Sequence, residues 1–130
     1  MKVWYLCGPM SGIPHYNIPA FDAAAVALRA NGYNIVSPAE LDDPEVRAAS
    51  YASPDGRSPT GRSWGDFLAR DVKIVADEVQ GMILLEGWQE SRGAKLEVYV
   101  GFLCDHEFRL YQGDGVARKT SPAYVRSFLV

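Results

Sequence analysis

The chain has 130 residues, 48% of them hydrophobic and 22% charged, with a net charge of −3. That length builds one domain with a real core, and nothing in that charge marks a binder of nucleic-acid polymers or anionic membranes. Eight prolines and twelve glycines mark tight connections without any low-complexity tract.

Val3–Cys7 is apolar throughout and stops at Gly8-Pro9, so it reads as a central strand buried on both faces. Gly8 to Asn17 is a loop of Gly, Pro and small polar residues. A helix follows from about Pro19 to Asn31, with Phe21, Ala24, Ala25 and Leu28 as its apolar stripe and Asn31-Gly32 as its stop. Tyr33–Val36 is a second strand, ended by Ser37-Pro38. From Asp42 to Arg62 the chain is rich in Pro, Ser, Gly, Asp and Arg. It reads as a long loop with one helical turn near Glu45–Ala49, and a loop that long in a small domain is functional or mobile.

Ser63-Trp64-Gly65-Asp66 has the Ser-x-x-Asp form of a capping box. It opens a helix to about Glu78, with Leu68, Val72, Val75 and Val79 on one face. Gly81–Leu85 is a third buried strand and Ser91 to about Cys104 the next helix. Phe108–Tyr111 reads as an edge strand, and Ser121–Val130 as a last helix with Ser121-Pro122 as N-cap and first residue.

Strands alternating with helices predict a single α/β domain over residues 1–130. The expected form is a doubly wound parallel sheet, flavodoxin-like or Rossmann-like, flanked by helices. Strand one then lies between strands two and three, and the switch point falls between strands one and three. The Gly8–Asn17 and Gly87–Ser91 loops leave the carboxyl ends of those strands, where such sheets bind ligands.

Cys7 and Cys104 read as small buried hydrophobes with free thiols. Lys2 is followed by only five apolar residues before Gly8, too few for a signal peptide, so a cytoplasmic setting is expected. His15 stands near no Cys or Asp cluster, so no metal site is expected; His106, in Asp105-His106-Glu107, reads as a solvated helix end. Gly8-Pro9-Met10-Ser11-Gly12 lacks the lysine of a P-loop and the spacing of a dinucleotide fingerprint.

Two carboxylates stand out. Asp71 shares a helix face with Leu68, Val72 and Val75, where desolvation raises its pKa; the plain alternative is pairing with Arg70 or Lys73. Glu97 lies in the line Gly93, Glu97, Gly101, a slim face able to approach the sheet. A glutamate there is costly unless it has partners or a task; a salt bridge to Arg92 or Lys95 is the plain alternative, but those point to other faces. Two carboxylates from different helices near one switch point suit glycosyl chemistry, one as nucleophile and the other as acid or base. Tyr5, at the end of the first strand, is a candidate to hydrogen-bond and orient the nucleophile, with a core aromatic whose hydroxyl is satisfied as the plain alternative.

Ser91 is an N-cap type, and the N–H groups of Arg92, Gly93 and Ala94 after it make an anion site. Ser11 and Gly12 are candidates for further donors, with plain capping and turn-making as the alternative. Trp64 and Trp88 are candidates to wall a pocket for a planar base, or else core or interface residues.

Tyr5-Leu6-Cys7-Gly8-Pro9-Met10-Ser11-Gly12, then Asp71, then Gly87-Trp88 through Ser91-x-Gly93-Ala94-x-x-Glu97 resemble the nucleoside 2-deoxyribosyltransferase-like superfamily, and more closely its small phage-type branch. The similarity covers nearly the whole chain except 42–62 and the tail. It implies that Glu97 attacks C1′ to form a glycosyl-enzyme, that Asp71 protonates the leaving base, and that Tyr5 positions Glu97. It implies phosphate contacts from Ser91, Gly93, Ser11, Gly12 and Met10. Gly8, Trp88, Trp64 and Ser121 are the remaining substrate-binding candidates, Ser121 across a dimer.

Position 91 separates the branches. The resemblance implies a carboxylate there in transferases acting on free nucleosides. Ser91, a neutral hydroxyl at a helix start beside Arg92, favours a phosphate instead. The expected activity is therefore hydrolysis of the N-glycosidic bond of a (deoxy)nucleoside 5′-monophosphate, giving free base and sugar 5-phosphate. The alternatives are a base-exchanging deoxyribosyltransferase and a non-catalytic nucleotide-binding protein; Tyr5, Asp71 and Glu97 together weigh against the second. No metal or cofactor is expected. The expected partners are a small nucleotide and a second copy of the chain, in a homodimer or larger assembly.

Overall fold

The computed structural model describes residues 1–129. Five strands, β1 (Val3–Cys7), β2 (Asn34–Val36), β3 (Gly81–Leu85), β4 (Glu107–Tyr111) and β5 (Ala117–Lys119), form one sheet in the order β2-β1-β3-β4-β5. The first four run parallel, and β5 is antiparallel to β4. Five helices flank them: α1 (Ile18–Ala30), α2 (Pro44–Ala52), α3 (Trp64–Asp77), α4 (Arg92–Leu103) and α5 (Pro122–Arg126). The chain is thus an α/β protein with a mostly parallel sheet.

Alternation along the strands splits the core in two. Trp4, Leu6, Ile83 and Leu85 face one way and pack with Phe21, Ala24, Ala25 and Leu28 of α1. Tyr5, Cys7, Met82 and Leu84 face the other way and pack with Val75 of α3 and Val98 of α4. Both faces being covered explains why these strands carry no polar alternation. Cys7, the last residue of β1, pairs with Leu84, one before the end of β3, so the two outgoing loops start side by side.

α3 and α4 carry the two carboxylates, and their seating is specific. Ser63 Oγ accepts from the Asp66 N–H at 3.0 Å, and the Ser63 N–H donates to Asp66 Oδ2 at 3.2 Å, closing the expected capping box. At Gly101 a Cβ would stand 2.3 Å from Met82 Sδ. A side chain there would have to displace the Met82 thioether, so glycine suits this close approach of α4 to β3.

Several expectations are corrected. β4 is not an edge, because the short Ala117-Arg118-Lys119 strand covers it; a charged three-residue strand has no apolar pattern to read, and such charge protects a sheet edge. The Asp42–Arg62 loop contains the nine-residue helix α2 in place of one turn, with Pro44 at its first position and Ala48 and Ala49 as strong helix formers. The last helix is only five residues long, and Val130 lies outside the described residues. Cys104 is exposed at the end of α4. His106 is buried, with Nε2 2.6 Å from the Val75 carbonyl oxygen, because the left-handed Asp105 (φ 58°) folds the ring beneath α3. No helix among the described residues is long and apolar enough to cross a membrane.

Candidate active site

The site begins where β1 and β3 end. At Gly8 a Cβ would lie 2.9 Å from Leu85 Cβ, so glycine keeps the strand ends together while the loops part. The chain then turns on itself, the Ile13 N–H donating to Met10 O at 3.2 Å. His15, Tyr16 and Asn17 follow with φ of 59°, 51° and 60°, left-handed values that cost a side-chain-bearing residue roughly 1–2 kcal/mol each. Local bonds offset that strain. His15 Nδ1 lies 2.6 Å from Tyr51 O, the Tyr16 hydroxyl donates to Ser58 O at 2.6 Å, and Asn17 Nδ2 donates to Pro9 O at 2.8 Å.

The Tyr16 bond reaches the segment after α2, which is thereby fastened to the β1 loop. The Gly12 N–H also donates to Gly56 O at 2.9 Å. Gly56 has φ +70°, and a Cβ there would fall 2.0 Å from Ile13 O. The 53–62 segment is therefore a fitted wall, and between it and the starts of α3 and α4 lies a cavity of about 670 Å³, a size suited to a small molecule.

Asp71 and Glu97 are only 6% and 8% exposed, and both line this cavity together with Tyr5. Arg70 Nε donates to Asp71 Oδ1 at 2.9 Å, and the same guanidinium bonds Asp42, whose buried carboxylate also lines the cavity. The Asp71–Arg70 pairing read as the plain alternative is thus present, within the cavity. Glu97 forms no ion pair among the described residues; Cys7 Sγ lies 3.5 Å from its Oε1 and 3.5 Å from Ala94 O. The Tyr5 hydroxyl is fully buried and makes no well-formed hydrogen bond among the described residues, yet it stands near enough to Glu97 and Asp71 to favour the charged form of each. An orphaned buried hydroxyl costs roughly 1–3 kcal/mol, and one beside a cavity asks for a ligand or a function.

Electrostatics separate the two carboxyls. Burial pushes Glu97 up to about 8, the Asp71 charge adds to that, and Cys7, Tyr5 and Arg70 pull it back only in part. Burial also raises Asp71, but Arg70 opposes it. Burial first, and then the Glu97 charge, holds Tyr5 and Cys7 well above their ordinary values, so both stay protonated. Near neutral pH Glu97 is therefore the carboxyl that holds a proton, while Arg70 favours the charged form of Asp71 against its burial.

The start of α4 also lines the cavity. Ser91 Oγ accepts from the Ala94 N–H at 3.2 Å, leaving the Arg92 and Gly93 N–H groups as the uncapped donors of the first turn. Ser91 and Gly93 line the cavity, as do Met10, Ser11 and Gly8 from the β1 loop. Half-exposed Trp64 lines it too, its indole 3.8 Å from where a Gly93 Cβ would sit.

Three expected contacts are not brought in. The Gly12 N–H is committed to Gly56 O, and Gly12 does not line the cavity. Trp88 is 4% exposed and packs edge-on against Phe128 at 5.6 Å, because Gly87 at φ 83° turns its indole under the tail. Ser121 caps α5, accepting from the Tyr124 N–H at 3.1 Å, away from its own chain's cavity. Sequence reasoning missed Asp42, Arg57 and Arg62 and read Arg70 only as a partner for Asp71, and all four line the cavity. The signal for three of them was the charge interspersed through 42–62, a segment read only as a loop.

Residues 1–105 match one family model, described as a domain of unknown function, DUF4406. The chain belongs to this family, which is related to the nucleoside 2-deoxyribosyltransferase-like fold. The matched stretch contains Tyr5, Asp71, Ser91 and Glu97 and stops before Ser121. No curated protein matches the chain.

Proposed function

We propose that the chain hydrolyses the N-glycosidic bond of a (deoxy)nucleoside 5′-monophosphate. The observation that carries the reading is that the buried Asp71 and Glu97, the buried Tyr5 hydroxyl and the Ser91-capped start of α4 line one cavity. Glu97 sits at the reacting carbon, and the helix start takes the anion.

In the productive form the shared proton is on Asp71 and Glu97 is ionised. A Glu97 oxygen bonds to C1′ as the C1′–N bond breaks, and the electron pair leaves with the base, which takes the Asp71 proton. Water then attacks C1′, gives its proton to Asp71, and frees Glu97 and a sugar 5-phosphate. Tyr5 holds Glu97 in line. In the same reading the β2-β1-β3-β4 order, with helices on both faces, is a doubly wound, flavodoxin-like sheet whose switch point opens into the cavity.

The transferase reading makes the same glycosyl-enzyme but passes the sugar to a second base. Ser91, a hydroxyl in place of a third carboxylate, favours the phosphorylated substrate. The test is chromatographic: free base from a panel of nucleoside and deoxynucleoside monophosphates supports hydrolysis. Base exchange between free deoxynucleosides, with no monophosphate cleaved, overturns it. The homodimer implied by the resemblance is tested by molar mass in solution.

A further inference from the structure

Nine arginines stand in this chain of net charge −3, and five of them pair with carboxylates: Arg29, Arg47, Arg70, Arg109 and Arg118. The other four, Arg57, Arg62, Arg92 and Arg126, form no ion pair among the described residues. Three of those four, all but Arg126, line the one cavity that holds Asp71 and Glu97. In an acidic protein, uncommitted cations gathered at one opening call for an anion from outside.

Their placement is fixed by neighbours. Arg57 lies over the β1 loop, with Nη2 3.3 Å from where a Gly12 Cβ would sit, and its backbone N–H donates to Asp55 Oδ1 at 3.0 Å. Arg62 stacks over Phe67 at 5.5 Å, a residue that also lines the cavity. Arg92 is the first residue of α4. Arg57 and Arg92 are exposed and Arg62 half-buried, whereas Asp71 and Glu97 are buried, so the cavity is cationic at its mouth and carboxylic at its floor. Glu90 is the one exposed carboxylate in the lining.

We propose that Arg57 and Arg62, on the segment between α2 and α3, bind the substrate's phosphate together with Arg92 and the start of α4. On the N-glycosidase reading, this makes the 53–62 wall the element that selects phosphorylated over free nucleosides. Arg forks suit a phosphate dianion, and the α4 N–H groups alone carry only partial charge.

The test is calorimetric binding of 2-deoxyribose 5-phosphate, which needs no turnover, beside steady-state kinetics on a monophosphate. R57Q and R62Q each weaken sugar-phosphate binding at least about tenfold, the size of a lost charge-assisted hydrogen bond. R57K recovers part of it, and R126Q binds as wild type. In turnover, R57Q raises KM for the monophosphate and changes kcat little. Wild-type affinity in both R57Q and R62Q overturns the assignment, even where base release proceeds. Arg57-dependent binding without base release from any nucleotide leaves the assignment standing and removes the N-glycosidase reading instead.

Discussion

Arg70 donates to Asp71 at 2.9 Å, while Glu97, in the same cavity, has no cation paired to it among the described residues. That asymmetry favours the charged form of Asp71 and leaves Glu97 protonated up to about pH 8. Glycosyl transfer through Glu97 needs the reverse distribution of the same single proton. Both arrangements belong to one macroscopic protonation state, so the pair titrates as a unit.

The pH profile follows from that count. Base release rises as the pair loses its first proton, is greatest with one proton shared, and falls as the second leaves near the value of about 8 set by Glu97. D71N keeps the Glu97 carboxyl but has no acid for the leaving base, so it loses the alkaline limb. Initial rates across about pH 4 to 10 check this; a wild-type rate that keeps rising through pH 8 means that no proton on the pair is needed.

Stability carries the same signature. Folding raises the Glu97 carboxyl from 4.5 to about 8, so between those values the folded state binds more protons than the unfolded one. Stability therefore falls as pH rises through the window. The amide that E97Q introduces stays neutral throughout. The stability of E97Q relative to wild type should grow from about pH 5 to about pH 8.5, towards at most about 5 kcal/mol. Urea unfolding of both proteins checks it, and a difference that does not change with pH contradicts the buried, raised carboxyl.

Tyr5 separates function from stability. Its hydroxyl is buried with no well-formed hydrogen bond among the described residues, though near enough to Glu97 to favour its charged form, so removing it relieves an unmet hydrogen bond. Y5F should keep or raise the melting temperature and lower kcat by about tenfold or more, within the range of a lost positioning bond. A Y5F that melts lower and turns over as wild type assigns the hydroxyl to the core.

The fitted wall is tested at two glycines. Gly61 has φ +89° with nothing within 4 Å of a Cβ, whereas Gly56 has φ +70° and Ile13 O at 2.0 Å. G61A should cost only the left-handed backbone term of roughly 1–2 kcal/mol. G56A adds an overpacking cost of about 1–3 kcal/mol and also weakens activity, because the wall moves. Equal losses in the two variants contradict a wall locked onto the β1 loop.

The apolar runs made β1, β3 and the stripes of α1 and α3 legible, because both sheet faces are covered and periodicity records burial directly. Asp71, Glu97, Tyr5 and Ser91 were legible for a related reason: a carboxylate on a packing face, or a cap at a strand's end, conflicts with or completes a local pattern. Arg57, Arg62 and Asp42 broke no pattern. They reach the cavity only because Gly56 and the left-handed turn at His15–Asn17 dock one loop on another, a tertiary event with no period. Trp88 failed for the complementary reason, since nothing local says which way a Gly87 turn sends an indole.

The most direct measurement of the central claim is release of free base from deoxynucleoside 5′-monophosphates by wild type and by E97Q. The account predicts release by wild type, with sugar 5-phosphate formed in equal amount, and loss of at least about a thousandfold in E97Q, the scale on which a covalent nucleophile acts. Base release by E97Q at the wild-type rate would contradict it, as would a wild-type protein that cleaves no nucleotide.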